Sequence, residues 1–199
     1  MRLYNSQLSG NCYKARLLLT LLGTPFERIE VDVVDRSNRG ELLGGKNPAL
    51  RVPTLELDDG RHLAESNAIL WYLADGTPYL PVDPLERARV LQWMFFEQYE
   101  LEPNLAVARF WISILGERER YANELEARWR AGNRALAALD EHLGPREWLV
   151  GDAYSIADIS LYAYTHVAEE GGFELAAYPA VRAWIDRVSA RPGHVPIEA

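Results

Sequence analysis

Arg51-Val52-Pro53-Thr54-Leu55-Glu56-Leu57-Asp58-Asp59-Gly60-Arg61-His62-Leu63-Ala64-Glu65-Ser66 contains the punctuation that decides the fold. Val52 to Leu57 and Arg61 to Ala64 flank Asp58-Asp59-Gly60, and an Asp-Gly pair between two such runs is a strong short-range signal for a β-hairpin. Ser66 to Ala74 then reads as a helix. Upstream, Arg2 to Tyr4 is a short strand and Leu8-Ser9-Gly10-Asn11 a loop. Cys12 to Leu22 places Leu17, Leu18, Leu21 and Leu22 at helical spacings, and Gly23 stops that helix before Pro25. Ile29-Glu30-Val31-Asp32-Val33 alternates apolar and acidic residues at period two, which predicts a half-buried strand. Residues 36–45 fit a short helix weakened by its glycines. The resulting order, βαβαββα, joins an opening crossover pair to an antiparallel hairpin.

Downstream the chain changes character. The first 80 residues carry 9 Lys and Arg against 10 Asp and Glu, whereas residues 81–199 carry 12 against 19 together with five of the six tryptophans. Between them, Asp75-Gly76-Thr77-Pro78-Tyr79-Leu80-Pro81-Val82-Asp83-Pro84 holds three prolines and a glycine, which stop a helix and resist strand pairing. The expected division is a first domain over 1–76, a linker over 77–83 and a helical bundle over 84–199, an α/β domain followed by an all-α one. Leu125, Trp129, Leu136, Leu139 and Leu143 form a stripe on one helix face. Pro103 is expected to kink or divide a long helix between Leu85 and Leu115. Ser155 to Asp158 matches a capping box opening the next helix, which Gly171-Gly172 should close. Pro179 starts a last helix that ends before Pro192-Gly193.

The 199 residues are 48% hydrophobic and 25% charged, the balance of a folding globular chain. A formal charge of 21 minus 29, or −8, and the lack of any basic run argue against a nucleic-acid partner. No apolar stretch approaches the ~20 residues of a membrane span, and the N-terminus has no signal-peptide pattern, so a cytoplasmic protein is expected. Cys12 is the one cysteine, and four scattered histidines offer no metal-ligand spacing, so no metal site is expected.

Ser9-Gly10-Asn11-Cys12 at the start of the first helix, Arg51-Val52-Pro53 before the hairpin and Glu65-Ser66 after it, in a small mixed domain followed by an all-helical one, resemble the cytosolic glutathione transferases. Asn47-Pro48 and the capping box after Gly151-Asp152 reinforce the likeness, which covers nearly the whole chain. It is closest to bacterial theta- and nu-like members, with some beta-like features. The resemblance implies a thioredoxin-like first domain that holds glutathione as co-substrate, with no tightly bound cofactor. It also implies a helical domain lining an apolar electrophile pocket, a homodimer, and a detoxifying transfer of the glutathione thiolate. Glutathione-dependent disulfide reduction and a non-enzymatic binding role are the rival expectations.

Each site residue has a bland reading beside the one the resemblance gives. Ser9 precedes a helix and can simply cap it. A helix N-terminus also stabilises an anion, by about 0.3 to 1 kcal/mol, and a hydroxyl donor beside it helps lower a bound thiol's pKa. The theta-like pattern puts the catalytic serine at Ser9, and the nu-like one adds Asn11, otherwise a turn residue. Cys12 aligns with the beta-like catalytic cysteine, or is a buried small hydrophobe. Pro53 can merely break a strand; the resemblance makes its bond cis, turning the Val52 amide and carbonyl towards the cysteinyl backbone of glutathione. Glu65 and Ser66 would hold the γ-glutamyl end, although helix capping also explains Ser66. Arg51, or Lys46, would meet the glycyl carboxylate, although either can be a solvated charge.

Overall fold

The computed structural model describes residues 1–199, which divide into two compact units, Met1–Asp75 with Pro192–Ala199 and Gly76–Arg191. The eight C-terminal residues, expected with the helical bundle, group instead with the first unit. The reason is a set of hydrogen bonds from the first helix and the loop before it to the tail's backbone carbonyls, detailed below.

The first unit is a four-stranded sheet in the order β2-β1-β3-β4, built from β1 (Arg2–Asn5), β2 (Glu27–Glu30), β3 (Thr54–Glu56) and β4 (His62–Ala64). β1 runs parallel to β2 and antiparallel to β3, and β3 pairs antiparallel with β4. The helices are α1 (Gly10–Leu21), α2 (Arg39–Leu43) and α3 (Ser66–Ala74). The period of two along β1 splits the core. Leu3 joins Leu55 with Ala15 and Leu19 of α1 and Ile69 of α3, while Tyr4 packs with Val31 and Leu43 on the other face.

Local chemistry accounts for the boundaries. Gly23, at φ 62°, ends α1 in a Schellman motif, with Gly23 N–H donating to the Thr20 carbonyl and Thr24 N–H to that of Leu19. The hairpin turns at Gly60, φ 84°, whose N–H donates to the Leu57 carbonyl. β2 lies earlier than the alternation of Ile29 to Val33 predicts. Its partner β1 stops at Asn5, whose carbonyl takes a last bond from Val31 N–H. Beyond it the Asp32 carboxylate accepts from the amides of Val34 and Asp35 and turns the chain away.

The second unit contains α4 (Pro84–Phe96), α5 (Glu102–Arg109), α6 (Ala122–Leu143), α7 (Ile156–Thr165) and α8 (Pro179–Ser189). α7 is buried along its whole length, with α4, α5 and α8 against it. Its capping box forms as expected: Ser155 Oγ accepts from Ala157 N–H, and Asp158 accepts from Ser155 N–H. Asp158 also accepts from Leu149 N–H and the Trp184 indole, and burial pushes its carboxyl up to about 6 against those donors. As expected, the long helix between Leu85 and Leu115 is divided just before Pro103, into α4 and α5. A wide π turn at Glu97–Leu101 precedes it, so Pro103 falls in the first turn of α5, where its missing N–H matters least. α7 ends at Thr165, short of the expected stop, and a separate 3₁₀ turn at Ala168–Gly171 carries the chain to Gly172.

Candidate functional site

Ser9 is the N-cap of α1. In extended conformation, φ −86° and ψ 119°, it accepts a 3.3 Å hydrogen bond from Cys12 N–H on its Oγ. The bland reading therefore holds, and it leaves the other reading open. A hydroxyl that accepts still carries its own proton, which Ser9 can give either to the buried Cys12 sulfur beside it or to an acceptor outside the loop. Ser9 is half-buried, at a helix end whose amides and dipole favour negative charge.

Cys12 has a different environment. It is fully buried, and its sulfur accepts from Ser6 N–H at 3.2 Å. Burial is the largest influence on its thiol, raising the pKa from an ordinary 9 to about 11 despite the Ser9 and Ser6 contacts. The exposure and thiolate character needed by a cysteine nucleophile are both missing.

Asn11 and Ser66 meet. Ser66, buried at the start of α3, donates from Oγ to Asn11 Oδ1 at 3.1 Å. The capping explanation for Ser66 therefore fails, since its hydroxyl turns towards α1 and no side chain caps α3 at Glu65. Glu65 itself has φ 68° and ψ 116°, a conformation that costs a non-glycine residue about 1 to 3 kcal/mol, and its side chain is exposed.

The segment before β3 is tied from within. The Val52-Pro53 bond is cis. Asn47 is buried, and its Nδ2 donates to the Arg51 carbonyl at 2.9 Å and to Thr54 Oγ1 at 3.0 Å, while Thr54 Oγ1 donates to the same carbonyl at 3.0 Å. Arg51 is thus held on one side of the cis bond and Thr54 on the other. Val52, between them, lies outside the sheet ladder.

The two basic residues divide. Lys46 turns back: its ammonium donates to the Leu42 carbonyl at 2.7 Å and lies over the Tyr4 ring. Arg51 is exposed, and its charge together with that of Arg36 adds to burial in lowering the pKa of Arg39. Arg36, Arg39 and Arg51 thus make a cationic flank, of which the sequence reading had only Arg51. Asn47, in the sequence only one half of the Asn47-Pro48 pair, is the side chain that ties the segment around the cis bond. Beside the Ser9 loop a groove of about 370 Å³ is lined by Ser6, Gln7, Leu8, Glu30, Asp32 and Val34, among others.

Comparison with known proteins covers both units. The glutathione S-transferase N-terminal domain family model matches residues 8–75, and the C-terminal domain model of the same name matches residues 103–192. A crystal structure of glutathione S-transferase from Pseudomonas fluorescens is similar at 49% identity and TM-score 0.95, over 98% of each chain. Maleylacetoacetate isomerase of Pseudomonas aeruginosa is 30% identical over 96% of this chain and 92% of its own. The disulfide-bond oxidoreductase YfcG of Escherichia coli is 33% identical over 92% and 87%.

Proposed function

The chain belongs to the glutathione S-transferase family, and from that premise we propose that it binds glutathione and activates its thiol as a thiolate for attack on an electrophilic, apolar substrate. The observation that carries this reading is the state of Ser9, whose Oγ accepts from the α1 backbone and so keeps its proton to donate to a sulfur at the helix N-terminus. Asn11, whose amide oxygen accepts from Ser66 beside Ser9, is the second donor in this reading.

The rest of the tripeptide follows the same logic. Val52 pairs with the cysteinyl backbone through its amide and carbonyl, with Pro53 fixing their direction. The α-carboxylate sits at the start of α3 near Ser66, and Glu65 takes the ammonium. Arg51, within the cationic flank, receives the glycyl carboxylate; Lys46, already bonded to Leu42, is the weaker choice. In the reaction the thiol proton passes to solvent, the thiolate forms a bond to electrophilic carbon, and the leaving group departs with the bonding pair. The rate gain comes from lowered thiol pKa and from holding the two reactants together. Leu8 and Val34, exposed beside Glu30 and Asp32 in the groove, favour an uncharged apolar electrophile over an anionic one. Cys12, sealed and protonated, stays outside the chemistry.

Disulfide reduction is the second reading, favoured by the likeness to YfcG and by the Ser9 and Asn11 donors. The same thiolate would attack a disulfide sulfur, expel a thiol, and leave a mixed disulfide that a second glutathione resolves. Turnover of an aryl halide against turnover of a small disulfide separates the two. A protein that binds no glutathione by calorimetry would reduce both to the binding-module alternative. A homodimer is supported by the exposed apolar face of α4 and the turn after it, where Leu85 is 59%, Phe95 69% and Tyr99 82% exposed. A reducing cytoplasm, where the tripeptide stays a thiol, is the compartment this chemistry suits.

A further inference from the structure

We propose that the second unit carries a binding site of its own for a small aromatic carboxylate, in a cavity of about 270 Å³ between α4, the end of α6 and the loop after it. Arg89 and Trp93 of α4, His142 of α6, and Arg146, Leu149 and Val150 of the loop line it. The glutathione-binding residues named above all lie in the first unit, so none of them is shared with this cavity. Residues 81–199 carry 12 Lys and Arg against 19 Asp and Glu. Two guanidiniums on one small cavity therefore run against the charge of their own surroundings.

Arg89 gives one nitrogen to the Glu86 carboxylate, and Arg146 gives one to the His142 carbonyl at 2.8 Å. A guanidinium has several N–H donors in a planar fork, so each keeps donors for a further acceptor, and a carboxylate matches that fork. Glu86 offsets one of the two cations, which leaves a balance suited to a single negative charge. His142 adds no third cation. Its Nε2 meets the Leu149 carbonyl at 2.9 Å and so carries the ring's proton. Burial lowers the His142 pKa, the Leu149 contact opposes this and the charge of Arg146 adds to it, so the ring is neutral near neutrality. That neutral ring lies against Trp93 with centroids 4.4 Å apart and planes tilted by 50°, and the buried Leu149 and Val150 extend the apolar wall. The volume lies just below the range of about 300 to 1,000 Å³ that drug-sized ligands occupy, so it admits one or two rings and no long chain.

The test is a calorimetric titration of the full chain with 2-naphthoate, of which one equivalent should bind per chain. 2-Naphthamide keeps the rings and loses the charge, whereas acetate keeps the charge and loses the rings. Each should bind at least about tenfold more weakly, since a hydrogen bond to a charged group or the apolar contact is lost. Arg89→Gln and Arg146→Gln should each weaken 2-naphthoate about ten- to a hundredfold. Glutathione affinity should stay at the parental level in both, and saturating glutathione should leave the 2-naphthoate titration unchanged. Both arginines are exposed. Should R89Q lose stability through Glu86, R146Q, which gives up a single bond to a main-chain carbonyl, still decides the matter. Absence of binding, equal binding of either control compound, parental 2-naphthoate affinity in R146Q, or displacement by glutathione overturns the proposal.

Discussion

The guanidinium of Arg16 donates to the main-chain carbonyl of Ile197 at 2.7 Å, across 181 positions of sequence. The same buried group donates to Asn5 Oδ1 at 2.8 Å and to the Ser6 carbonyl at 3.3 Å. Ser6 O in turn accepts from Ser9 N–H at 3.1 Å. The loop presenting Ser9 is therefore clamped from below by a charge that also holds the tail. Gln7 Nε2, donating to the carbonyls of Ile197 and Ala199, and Tyr13 Oη, donating to that of Val195, complete the attachment.

Arg16→Met should therefore destabilise the protein by about 3 to 5 kcal/mol, because it strands several buried acceptors at once. Urea unfolding measures the loss. Hydrogen exchange should show residues 194–199 opening ahead of the sheet, and a tail that stays protected in the variant would contradict the clamp.

Cys12 supplies a pH dependence. Its native pKa of about 11 lies above the ordinary value of 9, so the folded state holds the proton longer. The thiol's contribution is fully present below pH 9 and is lost as pH rises through 11, by about 2 to 3 kcal/mol if the whole shift is expressed. Cys12→Ala should unfold with a flatter profile than the parent between pH 9 and 11 and keep its transferase activity. Iodoacetamide should modify native Cys12 only as fast as the protein opens, and rapid labelling at pH 8 would return it to the list of nucleophiles.

Much of this architecture could be read in the chain beforehand, and what could not has a common cause. The α3 span, the hairpin turn and the capping box at Ser155 depend on residues within a few positions of one another, so their chemistry is local. Lys14 and Arg16 depend on partners 52 and 181 positions away, and a charged side chain in a helix reads as a solvated face until those partners arrive. The placement of β2 was decided by the length of β1 and not by its own alternation. Of the site, the residue types were legible, but the occupation of Lys46 by Leu42 and the grouping of Arg36, Arg39 and Arg51 are products of the folded chain.

Ser9→Ala should raise the pKa of bound glutathione and slow turnover about tenfold near neutrality, with recovery at high pH, while the tripeptide's affinity changes little. Loss of the cap should cost about 1 kcal/mol of stability. Thermal unfolding and thiolate titration on one preparation separate the effects; a variant that loses stability while its thiol pKa stays put makes Ser9 a cap and nothing more.

Glu65 allows backbone and side chain to be told apart. Glu65→Gly removes the carboxylate and relieves the strained φ of 68°, whereas Glu65→Ala removes the carboxylate and keeps the strain. Both should weaken glutathione about ten- to a hundredfold by calorimetry. The glycine variant should be the more stable of the two by about 1 kcal/mol. Parental affinity in both would take Glu65 out of the binding site.

Sedimentation at micromolar concentration should give twice the 22.6 kDa protomer mass. Phe95→Glu or Tyr99→Glu should shift it towards that mass by charging the exposed apolar face of α4 and the turn after it. A parent that sediments as a single protomer ends the homodimer proposal.

The attachment of residues 192–199 to the first unit has a consequence for the order in which the molecule is completed. On the ribosome, β1 to α3 emerge first, but the buried guanidinium of Arg16 has no Ile197 carbonyl to meet until the whole helical unit has been translated. A nascent first unit must carry that charge incompletely satisfied, or leave α1 loosely docked, throughout the synthesis of residues 76–191. The loop that presents Ser9 is thus made well before the segment that completes its clamp, and its last hydrogen bonds form only when residues 192–199 fold back onto the first unit.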